Sequence, residues 1–136
     1  MKKIIALFTG MALSAALSTV AFAHHSMAMM DFSKKAEFTG IVSDVQWTNP
    51  HVWIMVDVPN DDGTAVTWGV EFTSVVHLTR RGFKADMVKV GDEVTFSVSP
   101  YRDGSPGGRF FWVKLADGTY QCDVNQAAQA VCRENN

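Results

Sequence analysis

Hydrophobic and polar positions alternate along much of the chain between Ala36 and Leu115, the two-residue period of strands with one buried face. The first predicted strand runs from Ala36 to Trp47 and contains Gly40, where a glycine marks a bulge or a close approach of two backbones. Asn49-Pro50 is a turn signal, and a second strand follows from His51 to Val58. Its alternation places Val52, Ile54, Val56 and Val58 on an aliphatic core face, and His51, Trp53, Met55 and Asp57 on the other. Asn60-Asp61-Asp62-Gly63 is a turn. The third strand, Ala65 to Phe72, sets Val66, Trp68, Val70 and Phe72 against an exposed face of Thr67, Gly69 and Glu71.

The period then changes. Thr73 or Ser74 caps a short helix through Val75, Val76, Leu78 and Arg81, and Gly82 stands where a glycine stop belongs. Lys84 to Val90 leads to the tight turn Gly91-Asp92 and a fourth strand, Glu93 to Tyr101. Arg102 to Gly108 is a loop by composition, and Arg109 to Leu115 is a fifth strand ended by Asp117-Gly118. The Ala- and Gln-rich stretch from Asp123 to Arg133 predicts a short terminal helix. This order predicts a mainly β fold, a small five-stranded OB-like Greek-key barrel with one helix between strands 3 and 4 plugging one end. An SH3-like barrel or a small sandwich is the competing architecture.

The start of the chain belongs to no part of that barrel. Met1-Lys2-Lys3 is a basic lead, Ile4 to Leu17 is apolar, and Ala21-Phe22-Ala23 is a small-x-small cleavage site, so residues 1–23 read as a secretory signal peptide. The apolar run is shorter than the roughly 20 residues of a membrane span. The expected product is an exported, periplasmic protein that begins at His24 and does not span the membrane. Residues 24–34 are then an N-terminal arm, 35–120 the barrel, and 121–136 a tail clipped by Cys122 and Cys132, the chain's two cysteines. In an oxidising compartment that pair reads as a disulfide rather than a thiolate metal site. Removal of Lys2 and Lys3 leaves ten basic against fourteen acidic residues, a net charge of −4, which argues against a nucleic-acid partner.

His24-His25-Ser26, Glu37-Phe38-Thr39-Gly40-Ile41-Val42, Trp47-Thr48-Asn49-Pro50-His51, Arg80-Arg81-Gly82, Val90-Gly91-Asp92-Glu93-Val94 and Asp103-Gly104-Ser105 together resemble an uncharacterised family of small exported bacterial proteins, over most of residues 24–118. The resemblance implies a compact periplasmic β-barrel and brings no activity with it; the cysteine-bearing tail lies outside the shared pattern. The residue types of His51, Trp53 and Met55 are also similar in kind to those of the periplasmic copper and silver efflux metallochaperone. That protein, another small OB barrel, holds a monovalent metal with a histidine, two methionines and a nearby tryptophan, at a different spacing.

The residues point to the same chemistry. After cleavage His24 carries a free α-amine and an imidazole, which together chelate one ion, and His25 or His51 completes a three-nitrogen set suited to Cu(II). The amine titrates near about 8, so copper displaces a proton and binding weakens as pH falls. Met27, Met29 and Met30 offer soft thioethers for Cu(I), or equally an apolar patch packing the arm onto the barrel. His51, Trp53 and Met55 read either as a binding face or as a face packed beneath the arm or terminal helix, with Glu71 placed to orient His51 through a hydrogen bond. His77, beside Arg81 in the helix, reads as structural or solvated.

No nucleophile elbow, paired catalytic carboxylates or phosphate loop occurs in the sequence. A histidine brace also serves copper oxygenases, but those need a broad substrate surface on a larger scaffold. The sequence-level expectation is therefore a non-enzymatic periplasmic copper-binding protein for storage, delivery or tolerance, with periplasmic or membrane copper-handling proteins as partners. The competing reading is a metal-free adaptor that holds a peptide, glycan or protein on its barrel face and the Arg102–Gly108 loop.

Overall fold

The computed structural model describes residues 27–136. Eight elements follow in order: β1 (Ala36–Gln46), β2 (Trp53–Pro59), β3 (Ala65–Glu71), α1 (Val75–Arg80), β4 (Glu93–Pro100), β5 (Gly107–Lys114), β6 (Tyr120–Cys122) and α2 (Gln126–Asn135). The strands run β3-β2-β1-β4-β5, and a short parallel pairing of β3 with β5 closes the ring. This is the five-stranded OB-like barrel with a helix between strands 3 and 4 that the alternation predicts. Closure rests on Gly69↔Gly107, Val70↔Gly108 and Glu71↔Arg109.

Inward positions of β2 and of the residue before it behave as their alternation demands: Val52, Ile54 and Val56 are buried. Across the core Phe72 stacks on Phe110 at 4.1 Å and meets Phe83 and Phe96 edge-on. Ser74 caps α1 by accepting from the His77 backbone N–H, and Gly82 follows at φ +84°. Leu78, Phe83 and Val88 plug the barrel end. His77 is exposed, with Nδ1 3.3 Å from Thr73 Oγ1, and Arg81 faces Asp123 at 3.8 Å.

Gly40 marks a close approach. A Cβ there would collide with the carbonyl oxygen of Asp57 and stand 2.9 Å from Val56 Cγ1. The bulge in β1 lies further on, between Val42 and Asp44. Four turns repeat one device. Asp31, Asp62, Asp103 and Asp117 each accept hydrogen bonds from the backbone N–H and the hydroxyl of the Ser or Thr two residues on. These bonds hold the four carboxyls below their ordinary range.

In three places the molecule departs from the periodic reading. Val66, expected on the core face, is exposed, and Trp68 is only half-buried against Phe38, because this end of β3 extends past the core. Glu71, expected on an exposed face, is 4 % exposed, since β5 lies along β3 there. β6 is unannounced by any alternation. It pairs with the part of β5 beyond the β3 contact and leads into α2, which the Cys122–Cys132 disulfide ties back.

Candidate functional site

The site is assembled where the β1–β2 connection meets the end of β3. The connection turns through a cis Asn49–Pro50 bond, and Asn49 Oδ1 accepts from the backbone N–H of Val75 at the start of α1. Val52 exchanges backbone hydrogen bonds with its β3-side neighbours, donating to Thr73 O at 3.2 Å and accepting from Phe72 N at 2.8 Å. With Val52 pinned inward, alternation turns His51 outward beside Glu71. The imidazole Nδ1 meets Glu71 Oε1, with the His51 side chain 39 % exposed and that of Glu71 5 % exposed. Nδ1–H donates to the buried carboxylate, and Nε2 is the ring nitrogen that this contact leaves unused.

Around this pair the barrel face is built on glycines. Trp53 and Met55 lean across Gly69: a Cβ there would lie 3.4 Å from Trp53 Cζ3 and 3.5 Å from Met55 Sδ. Tyr101 packs edge-first over Gly107, 2.7 Å from where a Cβ would stand. Burial, then the charges of Glu71 and Asp103, push the Tyr101 phenol above its ordinary value. Tyr101 and Arg109 are neighbours of the site that alternation alone does not nominate. The parallel pairing Glu71↔Arg109 is what brings the latter there.

The arm is strapped to this end of the barrel. Asp31 N donates to Pro100 O, Arg102 N to Met29 O, and Arg102 Nε to Ala28 O, while Met30 bridges Tyr101. The three arm methionines divide. Met30 is 1 % exposed and packs the arm down, whereas Met27 and Met29 stand about half exposed. Met55 lies four positions beyond His51, about 13 Å at strand rise, with Trp53 between them. The structure does not bring those two side chains together.

His24, His25 and residues 1–23 lie outside the described residues. Among the described residues no group of three or more His, Cys, Asp or Glu converges as a metal site. His51 is held through Nδ1 by a carboxylate, and Met27 and Met29 stand exposed in the arm. Among the described residues no helix is long and apolar enough to cross a membrane.

The model of a family of unknown function, DUF6152, matches residues 12–110. No curated protein matches the chain. Among solved structures, the mitochondrial single-stranded DNA-binding protein Rim1 of S. cerevisiae is 13 % identical at a TM-score of 0.46, covering 61 % of this chain and 94 % of its own. A ZRD-deleted mutant of TiaS in complex with agmatine is 10 % identical at a TM-score of 0.44, covering 68 % of this chain and 23 % of that one.

Proposed function

The chain belongs to DUF6152, a family of unknown function, and from its geometry we propose that it is a periplasmic copper-binding protein serving metal storage, delivery or tolerance. The single observation that carries the reading is the His51–Glu71 pair. A carboxylate in so buried a place holds the ring through Nδ1 and leaves Nε2 for a ligand. In this reading export and cleavage after Ala23 free the His24 amine, which chelates together with its own imidazole, and His51 or His25 supplies the third nitrogen. Met27 and Met29 serve the reduced ion, and Met55 belongs to the packing over Gly69. The Cys122–Cys132 disulfide suits an oxidising compartment. Partners are then copper-handling proteins of the periplasm or its membrane, and the chain is a carrier rather than an enzyme.

The test is a Cu(II) titration, followed by electron paramagnetic resonance, of the form beginning at His24 beside one carrying an extra residue before it. The expected result is one tightly bound equivalent with nitrogen hyperfine structure in the first form, lost in the second. Weak and equal binding by both overturns the copper reading and leaves the metal-free binding module.

A further inference from the structure

A second site lies between the arm and the start of α2. Here a cleft of about 450 Å³ is walled by Met27, Phe32 and Phe111, within the size range of small-molecule pockets. Met27 and Phe32 are 50 % and 48 % exposed, an apolar surface open to solvent. Two cations converge on it. Lys35 Nζ donates to the hydroxyl of buried Ser99 at 3.1 Å and to the carbonyls of Lys34 and Phe32 at 3.3 and 3.4 Å, neutral acceptors that leave its charge unbalanced, and it stands 4.5 Å from the centre of the Phe111 ring. Arg109 stands directly opposite Ser99 in the β4–β5 ladder and lines the same cleft.

Neither cation makes an ion pair among the described residues. Asp123, the carboxylate in the described lining, accepts from the Val124 backbone N–H at 2.7 Å and faces Arg81. Glu71, the register neighbour of Arg109 on β3, is turned to His51. Two like charges are thus gathered at one end of an apolar cleft without a counterion, an arrangement that an anion relieves and a cation worsens.

We infer that this cleft binds a small amphiphilic carboxylate, its headgroup between Lys35 and Arg109 and its apolar tail along Met27, Phe32 and Phe111. The ammonium of Lys35 itself stands over the Phe111 ring and beside the Ser99 hydroxyl, so the charge is already positioned at the head of the cleft. Met27 is shared with the proposed copper set, so the titration is run on metal-free protein, and its failure leaves the nitrogen ligands of the metal reading untouched.

The experiment titrates the full chain with three ligands of one tail length, octanoate, 1-octanol and octylammonium, following backbone amide shifts by nuclear magnetic resonance at neutral pH. Octanoate is expected to bind about tenfold more tightly than the neutral alcohol, with octylammonium weakest, and to shift Phe32, Phe111 and Ser99. Adding salt should erode the preference for octanoate. Lys35→Gln with Arg109→Gln should bring octanoate down to the level of octanol. Should that double variant fail to fold, the charge series and the salt series on the unaltered chain decide. Equal binding of the three ligands, shifts away from the cleft, or a preference that survives the double variant overturns the inference.

Discussion

The ring of His51 donates from Nδ1 to a carboxylate, that of Glu71, whose side chain is 5 % exposed. The pair works in both directions: the acid orients the ring, and the ring satisfies an acid that barrel closure has taken out of water. Replacing His51 by Ala strands the carboxylate, and the expected loss is about 1–3 kcal/mol of stability at neutral pH. Urea unfolding of His51→Ala beside the parent checks this; equal midpoints would show that Glu71 needs no partner.

The same pair separates orientation from ligation. Glu71→Gln keeps the volume and an acceptor but removes the charge, and the expected drop in Cu(II) affinity is about tenfold at unchanged stoichiometry. Competition titration against a chelator of known affinity measures it. An unchanged affinity means that the carboxylate does not tune the metal site.

At Gly40 the backbones of β1 and β2 approach too closely for any side chain. A methyl group on its Cα would press on Val56 Cγ1 at 2.9 Å and run into the Asp57 carbonyl oxygen. Gly40→Ala is therefore expected to cost about 1–3 kcal/mol, the scale of core overpacking. Thermal or urea unfolding of a folded variant at parental stability would contradict this packing.

The Cys122–Cys132 bridge closes a loop of sequence separation 10 and holds α2 against β6. Replacing both cysteines by serine should lower stability by about 2–3 kcal/mol in the loop-entropy description. Amide hydrogen exchange should show α2 opening before the barrel, because the helix packs on a small cluster of Trp112, Cys122 and Ala128 apart from the main core.

Acid should reach the turns. The Asp62 carboxyl is held low chiefly by the Thr64 hydroxyl, and those of Asp103 and Asp117 chiefly by the backbone N–H groups of Ser105 and Thr119. A carboxyl whose folded pKa is depressed stabilises the fold above its ordinary value of 3.8 and loses that contribution as pH falls through the lower folded value. Asp62→Asn, Asp103→Asn and Asp117→Asn combined should flatten the decline of the unfolding midpoint below about pH 4. An unaltered acid profile would assign that decline to other groups.

Much of this was written locally. Alternation along Val52, Ile54 and Val56 identifies the core face of β2, and Ser74 with Gly82 brackets α1, because one side chain's period or one cap suffices for each. The placement of His51 beside Glu71 was legible as well, since alternation sets both on the same face of adjacent antiparallel strands, one at the start of the second and the other at the end of the third. Sequence alone carried the order of the first five strands, the single helix between strands 3 and 4 and the nearness of the two cysteines, all properties of neighbours or of a strict two-residue period, while at Gly40 it left a bulge and a close approach open and the structure chose the second.

Tertiary structure decided what covers each face. A period says which side of a strand a residue takes and is silent about what lies over it. Glu71 became buried because β5, far along the chain, closed the barrel beside it. Met30 was separated from Met27 and Met29 by the bridge to Tyr101, and β6 formed because an edge of β5 was left open beyond β3. Lys35 and Arg109 became neighbours only through Ser99, which touches the first and faces the second across a ladder. Contacts of that kind join residues many tens of positions apart, and no local pattern encodes them, since each depends on the closure of the whole sheet.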